Sequence, residues 1–391
     1  MFKLKKLNFK VISIYIITTF FLVPMCFQNY YKLLFVISFI YMNLIFILKQ
    51  KDKIQLSYKN IIKINTIILL FLLASIISPY RITFTVSLYI FLIIASFCFL
   101  ENDLEHMVSE SVYDVIYIIC LVSILIQMIT GKSNVINGKI ALSILGDKNY
   151  SGILMILFFM YCDKRKYFFG KIISVFIILI VESRASIIVL VIMLFIKIFK
   201  NVIFKILNKL KLDKIYKLFI IMSIFTIIFS YFWTFNVAIN GVKEYQEGLN
   251  DGSNKMRFAS NVYAIESLKN NKSLLLYGYD EDFDSVTGTD SENRDNHTRY
   301  LGARLVQPHN SILNIFIKSG AVFSIIYFYL LGKLIDKKYD RNNIEYILSY
   351  FISCLFLHRL LNGTFLILWA LVLCIPVKEK NYFRKIELKR R

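Results

Sequence analysis

The stretch KIISVFIILIVESRASIIVLVIMLFIKIFK, Lys171 to Lys200, decides how this chain is organised. Apolar residues fill it from Ile172 to Phe199, broken only by Glu182-Ser183-Arg184. Both flanks are basic, with Lys164 to Lys171 before it and seven lysines from Lys197 to Lys217 at its far side. Lysine-rich loops stay on the cytoplasmic face of a membrane, so the segment should cross an even number of times. It reads as a hairpin of two short helices with Ser183 and Arg184 at the outer tip. The same logic makes Ile344–Val377 a hairpin with His358, Arg359 and Asn362 at its tip.

Outward from this stretch the apolar runs continue along the chain. The first are Val11–Phe27, Tyr31–Leu48, Ile64–Ser78, Ile82–Leu100, Val112–Thr130 and Tyr150–Tyr161. Then come Phe168–Val181, Ala185–Phe199, Leu218–Phe235, Ser311–Leu331, Ile344–Leu357 and Thr364–Val377. The expected fold is therefore all-α: a polytopic membrane protein of about twelve transmembrane helices with one large extracytoplasmic loop. Residues 1–237 form an N-terminal membrane region, 238–308 the loop, 309–377 a C-terminal membrane region, and 378–391 a basic cytoplasmic tail. With both termini inside, 31 of the 47 basic residues fall on the cytoplasmic side, and the reverse orientation inverts that ratio. Lysine and arginine divide differently: 26 of 35 lysines lie inside, whereas 7 of 12 arginines lie outside. Arginine's planar fork suits phosphate or carboxylate, which points to an outward site for an anionic ligand.

Composition excludes the other classes. The chain has 391 residues, 57% of them hydrophobic, and a mean hydropathy of +0.59, more apolar surface than a soluble domain hides. Its net charge of +21 lies in short loops and the tail beside apolar spans, so orientation and anionic lipid explain it without nucleic acid. All six cysteines (Cys26, Cys98, Cys120, Cys162, Cys354, Cys374) fall in or at the ends of spans, so no disulfide framework or zinc site is expected. The basic N-terminus followed by an apolar run resembles a signal peptide, but no small-x-small cleavage site follows. An uncleaved first span is the expectation.

The loop from Ala238 to Pro308 carries 8 basic and 11 acidic residues and too few apolar ones for a core of its own. Phe258, Val262, Ile265 and Leu268 have the spacing of a short amphipathic helix. Asp280–Thr298 reads as disordered or ordered by a ligand. The acidic run Asp280-Glu281-Asp282-Phe283-Asp284 raises a divalent metal, but no companion ligand is fixed, and it is read as loop.

Polar residues at the outer ends of spans carry whatever chemistry there is. Pro308-His309-Asn310-Ser311 opens a span, where a histidine is wet enough to titrate and close enough to a lipid headgroup to act as a general base. Asn310 or Ser311 there equally serves to cap the helix. Arg184, between two apolar helices, must meet water or an anion, pair with Glu182 or snorkel to the interface. Arg257 opens the loop helix, and Arg294, Arg299 and Arg304 follow, on a face where they also balance nearby acids. Asp147 and Asn149 flank Lys148 at the outer end of a span, placed to hold a sugar hydroxyl or to cap the helix.

Taken in order, three of these elements resemble the O-antigen polymerase and O-antigen ligase superfamily. They are Asp147-Lys148-Asn149, Ser183-Arg184-Ala185, and His309-Asn310 with Leu313 and Gly320 behind them, the last following a large loop that contains Arg257. The likeness runs from Gly146 to Leu331, about half the chain. The family often has glycine where this chain has Ala185, and Gly-x-Gly where it reads Gly278-Tyr279-Asp280. The resemblance implies a metal-independent and cofactor-free membrane glycosyltransferase acting on polyprenyl-diphosphate-linked oligosaccharide at the outer face of a bacterial plasma membrane. It implies His309, Arg184 and Arg257 as catalytic residues, with Asn310, Asp147, Asn149, Ser183 and Arg304 binding substrate. Within the class a polymerase is expected, as each surface-polysaccharide locus carries one, with a ligase as the alternative. A chain-length regulator and a flippase are the expected protein partners. A lipid-linked oligosaccharide flippase is the rival from another class, since twelve spans suit a transporter, though no internal repeat is visible and the loop is large for one.

Overall fold

The computed structural model describes residues 92, 102–130, 148–210, 214, 216–218, 220–228, 276, 278, 310–336, 342–357, 360–361 and 364–375. Among them the regular elements are all helical. In chain order they are α1 (Asn102–Thr130), α2 (Lys148–Arg165), α3 (Phe168–Ile180) and α4 (Arg184–Lys209). There follow α5 (Tyr216–Ile228), α6 (Ser311–Asp336), α7 (Ile344–Ser353) and α8 (Thr364–Cys374). The spans expected before residue 102 lie outside the described residues apart from Leu92. So do the loop from 238 to 308, apart from Leu276 and Gly278, and the tail from 378 to 391.

Two helices are apolar all round and form the centre. In α2 every residue from Ser151 to Lys164 is buried, and in α8 the run Phe365–Cys374 is buried throughout. A helix without a polar face has nowhere to go but the core. The flanking helices bury one stripe each. In α1 it is Tyr113, Ile116, Cys120, Ile124 and Gln127, and in α4 it is Ala185, Val189, Met193 and Ile196, spaced three to four residues apart. Their opposite faces are apolar too: Ile118, Val122, Leu125 and Ile129 on α1, and Val191, Leu194, Phe195 and Ile198 on α4, are exposed. Tyr113–Thr130 in α1 and the whole of α4 are long and apolar enough to cross a membrane, and α6 is so only when its residues are counted through the break described below.

The central hairpin is present, with unequal arms. Helix α3 has 13 residues, about 20 Å, whereas α4 has 26, about 39 Å, and continues ten residues past Phe199 to Lys209. The turn between them follows from local chemistry. Glu182 takes a left-handed φ of 52°, which stops α3, and Ser183 is extended at φ −84°, ψ 99°. Its hydroxyl accepts the Ser186 N–H at 3.4 Å and so caps α4.

Charged residues bind the helices together where α2 ends. The buried Asp163 carboxylate accepts hydrogen bonds from Lys197 of α4, from Lys171 of α3 at 3.2 Å and from the Tyr346 hydroxyl of α7 at 2.7 Å. Burial alone would raise its pKa, but the bonds from Lys197 and Tyr346 and the charge of Lys171 outweigh that and hold it below its usual value. Lys164, also buried, donates to the Leu373 and Ile375 carbonyls at 3.1 and 3.0 Å and so ties down the end of α8. Asp163 thus sets α3 antiparallel to α2 and α4 parallel to it, with the Ser183 turn at the opposite end.

Helix α6 departs from the straight span read from the sequence. Gly320 has φ 72° and ψ 172°, a conformation that in practice only glycine adopts, and it breaks the helix in two. Ser324 Oγ donates to the Ile315 carbonyl at 3.2 Å. In a continuous helix those residues would stand about 13.5 Å apart along the axis, so the arms 311–319 and 321–336 fold back sharply on each other. Leu276 and Gly278 lie against this break. A Cβ on Gly320 would strike the Leu276 carbonyl, and one on Gly278, itself at φ 91°, would strike the carbonyl of Lys318.

Gly320→Ala is therefore expected to cost at least about 1–3 kcal/mol from the backbone conformation alone. Thermal melting of the purified variant in detergent should show it, and an unchanged Tm would mean that residue 320 does not hold this conformation.

Candidate functional site

The end of the bundle opposite Asp163 gathers most of the described motif residues. Asn149, in the first turn of α2, accepts the Ser183 hydroxyl through Oδ1 at 3.2 Å. Ser183 and Ser186 share a second hydrogen bond at 2.8 Å, and both are fully buried. This contact needs Gly152, because a Cβ there would lie 2.9 Å from Ser183 Cβ and closer still to Ser186. Asn149 and Ser183, 34 residues apart and each from a different sequence element, are thereby joined.

The third element joins the same end through the second hairpin. The Tyr150 ring lies 5.6 Å from that of Phe365, near the start of α8. Just before α8, the Leu360 N–H donates to Ser311 Oγ at 3.1 Å, and Ser311 Oγ in turn donates to the Leu357 carbonyl. The Ser311 N–H reaches the Cys354 carbonyl at 2.7 Å. Tyr350 and Tyr327 donate to the Leu360 and Leu361 carbonyls, so the hairpin tip is fastened to both arms of α6 and to α7. Asn310 caps α6, its Oδ1 accepting the Ile312 and Leu313 N–H groups at 3.0 Å each.

The capping reading of Asn310 thus holds, Ser183 also proves to be a cap, and capping is compatible with a site beside them. Helices α2, α4, α6 and α8 all begin at this end, and α1, α3 and α7 finish there. Arg184, the first residue of α4, is exposed at this end. An exposed arginine beside a capped helix N-terminus favours an anion, through its charge and the helix dipole together. His309 directly precedes Asn310 in the chain but lies outside the described residues, as do Asp147, Arg257, Arg304, the acidic run 280–284 and His358, Arg359 and Asn362.

Sequence reasoning passed over Gly152, Ser186 and Ser311's bonds to the second hairpin, and it noted Gly278 only as part of a pattern. The Ser-x-x-Ser spacing at 183 and 186 was a usable capping signal. Gly152 gave none, since it matters only through side chains distant in sequence.

Ser183→Ala removes the α4 cap and the bond to Asn149, an expected loss of about 1 kcal/mol. Gly152→Leu should cost more, because it pushes α2 and α4 apart. Denaturation of both variants in detergent checks the order, and equal melting of Gly152→Leu and wild type would contradict the close approach.

No family model matches the chain, and neither a curated protein nor a solved structure does.

Proposed function

We propose that the chain is a membrane-embedded glycosyltransferase that polymerises polyprenyl-diphosphate-linked oligosaccharide units of a bacterial surface polysaccharide. The observation that carries this reading is the bond between Asn149 and Ser183 at the same end of the bundle as the capped start of α6. Residues that resemble two of one family's motifs are in contact, and the capped start of α6, which carries part of the third, lies toward the same end of the bundle as an exposed Arg184. The apolar outer faces of α1 and α4 support a bilayer setting.

In this reading the Asn149–Ser183 end faces outward and the lysine-rich Asp163 end faces the cytoplasm. A sugar hydroxyl of the acceptor unit attacks the anomeric carbon of the lipid-linked donor. The bond from that carbon to the diphosphate oxygen breaks, and its electron pair leaves with the lipid diphosphate. His309 takes the hydroxyl proton. Arg184 and Arg257 neutralise the charge developing on the diphosphate, stabilisation that a preorganised site supplies. Asn149, Ser183, Asn310, Asp147 and Arg304 position the sugars. Neither a metal nor a cofactor takes part.

Reporter fusions at Asn250 and after Arg391 should read opposite sides of the membrane, Asn250 outside. Reports from one side would remove the proposed orientation.

A deletion strain distinguishes the activities. A polymerase leaves single repeat units on display and no long polymer, a ligase leaves lipid-linked polymer undisplayed, and a flippase leaves substrate on the cytoplasmic face. Returning His309→Gln should restore donor binding without extension, since losing a general base costs about 10²- to 10⁴-fold in rate. Arg184→Ala should lose donor binding, and Arg184→Lys should recover it only in part, because lysine keeps the charge without the bidentate fork. Wild-type polymer from His309→Gln would end the general-base assignment.

A further inference from the structure

The turn between α2 and α3 is built for a task that the proposed chemistry does not use. It reads Lys164-Arg165-Lys166-Tyr167-Phe168-Phe169, and it sits at the Asp163 end, away from Asn149 and Ser183. Lys166 turns the chain with φ 58° and is exposed. Immediately after it, Tyr167, Phe168 and Phe169 are 42%, 64% and 78% exposed. Three consecutive aromatic residues held outward are costly in water but suited to the boundary of a bilayer, where rings lie at headgroup level. The Arg165 guanidinium stands 5.7 Å from the centre of the Tyr167 ring, so the cationic and aromatic surfaces are one.

Charge around the turn is unbalanced. Lys171, Lys197 and Lys200 surround it with part-exposed side chains, and with Arg165 and Lys166 they make five basic groups. Among the described residues the acidic groups facing them are Asp163, bound by Lys171 and Lys197, Glu345, 3.6 Å from Lys200, and Asp114, which accepts the Tyr161 hydroxyl. Five cations against three carboxylates among the described residues leave a positive surplus beside exposed rings.

We propose that this turn binds the headgroup of an anionic phospholipid, with Arg165 and Lys166 on the phosphate and Phe168 and Phe169 among the upper acyl carbons. The inference rests on the charge and exposure of the turn and on a bilayer setting, and it is independent of the glycosyltransferase reading. It differs from general membrane contact in demanding a headgroup preference. A zwitterionic lipid offers the same hydrocarbon to the rings, but its own ammonium group opposes the surplus charge.

The test uses the full chain, purified and placed in nanodiscs of phosphatidylcholine alone or doped with phosphatidylglycerol, with the retained lipid counted by native mass spectrometry. Wild type should enrich phosphatidylglycerol over phosphatidylcholine. Each basic residue at an anionic surface is worth about fivefold in affinity, so Arg165→Gln with Lys166→Gln should reduce the enrichment by more than about tenfold. Phe168→Ser with Phe169→Ser should weaken retention of both lipids alike. Equal retention of the two lipids by wild type, or unchanged enrichment in the Arg165/Lys166 variant, overturns the proposal. Should that variant fail to insert, wild type decides by salt. Its enrichment must fall between about 0.1 M and 1 M, as the screening length shrinks from about 10 Å to about 3 Å. Enrichment that persists through that range overturns the proposal too, as does a preference satisfied equally by an acidic peptide added in place of the lipid.

Discussion

Helix α2 must be buried along its whole length, charged end included, and the arrangement of its neighbours follows from that requirement. A carboxylate and an ammonium group taken out of water are stable only if their partners come with them. Asp163 draws Lys171, Lys197 and Tyr346 from three other helices, and Lys164 draws the last carbonyls of α8. These partners set the directions of α3, α4, α7 and α8 relative to α2. At the other end the same helix has Gly152, which lets Ser183 and Ser186 approach closely. One end of α2 is fixed by charge and the other by the absence of a side chain.

This arrangement leaves the two ends of the bundle chemically unlike. At the Asn149 end the buried polar groups Asn310, Ser183, Ser186 and Ser311 are neutral and bonded to each other or to backbone groups, while the charged Lys148, Glu182 and Arg184 stand outside them. At the Asp163 end the groups are charged, and cations outnumber carboxylates. A rigid, capped frame is the better support for a reaction site, since side chains fixed by their neighbours keep their geometry as charge develops. The lysine-rich end is better suited to a charged surface, where Arg165 and the exposed Lys166 add cations beyond those paired with Asp163 and Glu345. Both proposals for this chain take up that division.

The break in α6 belongs to the same design. Ser311 and Asn310 fasten its first arm to the second hairpin, and Tyr327 fastens its second arm to the same tip. Folding the arms together brings residues 311 and 327 to one place, though a straight helix would separate them by about 24 Å. Gly320 makes the fold possible, and the approach of Leu276 and Gly278 fills the space outside it. Leu276 and Gly278, more than thirty residues before α6 in the chain, therefore touch the helix at its break.

By itself the sequence determined the helical class, the central turn and the second hairpin, because these depend on local patterns. Glu182-Ser183-Arg184 interrupts an apolar run, and no helix continues through it unchanged when basic flanks demand a return. Asn310 was recognisable as a polar residue at a helix start, where free N–H groups need acceptors. Only the tertiary structure decided that α4 runs on to Lys209, that α6 folds at Gly320, and that Asn149 meets Ser183. A lone glycine in an apolar run fits a straight helix as well as a broken one, and only the carbonyls of Leu276 and Lys318 distinguish them. Asp163 was invisible for a similar reason: among lysines in a loop it reads as one more solvated charge. Its burial depends on residues up to 183 positions away, and spacing along the chain carries no record of such a distance.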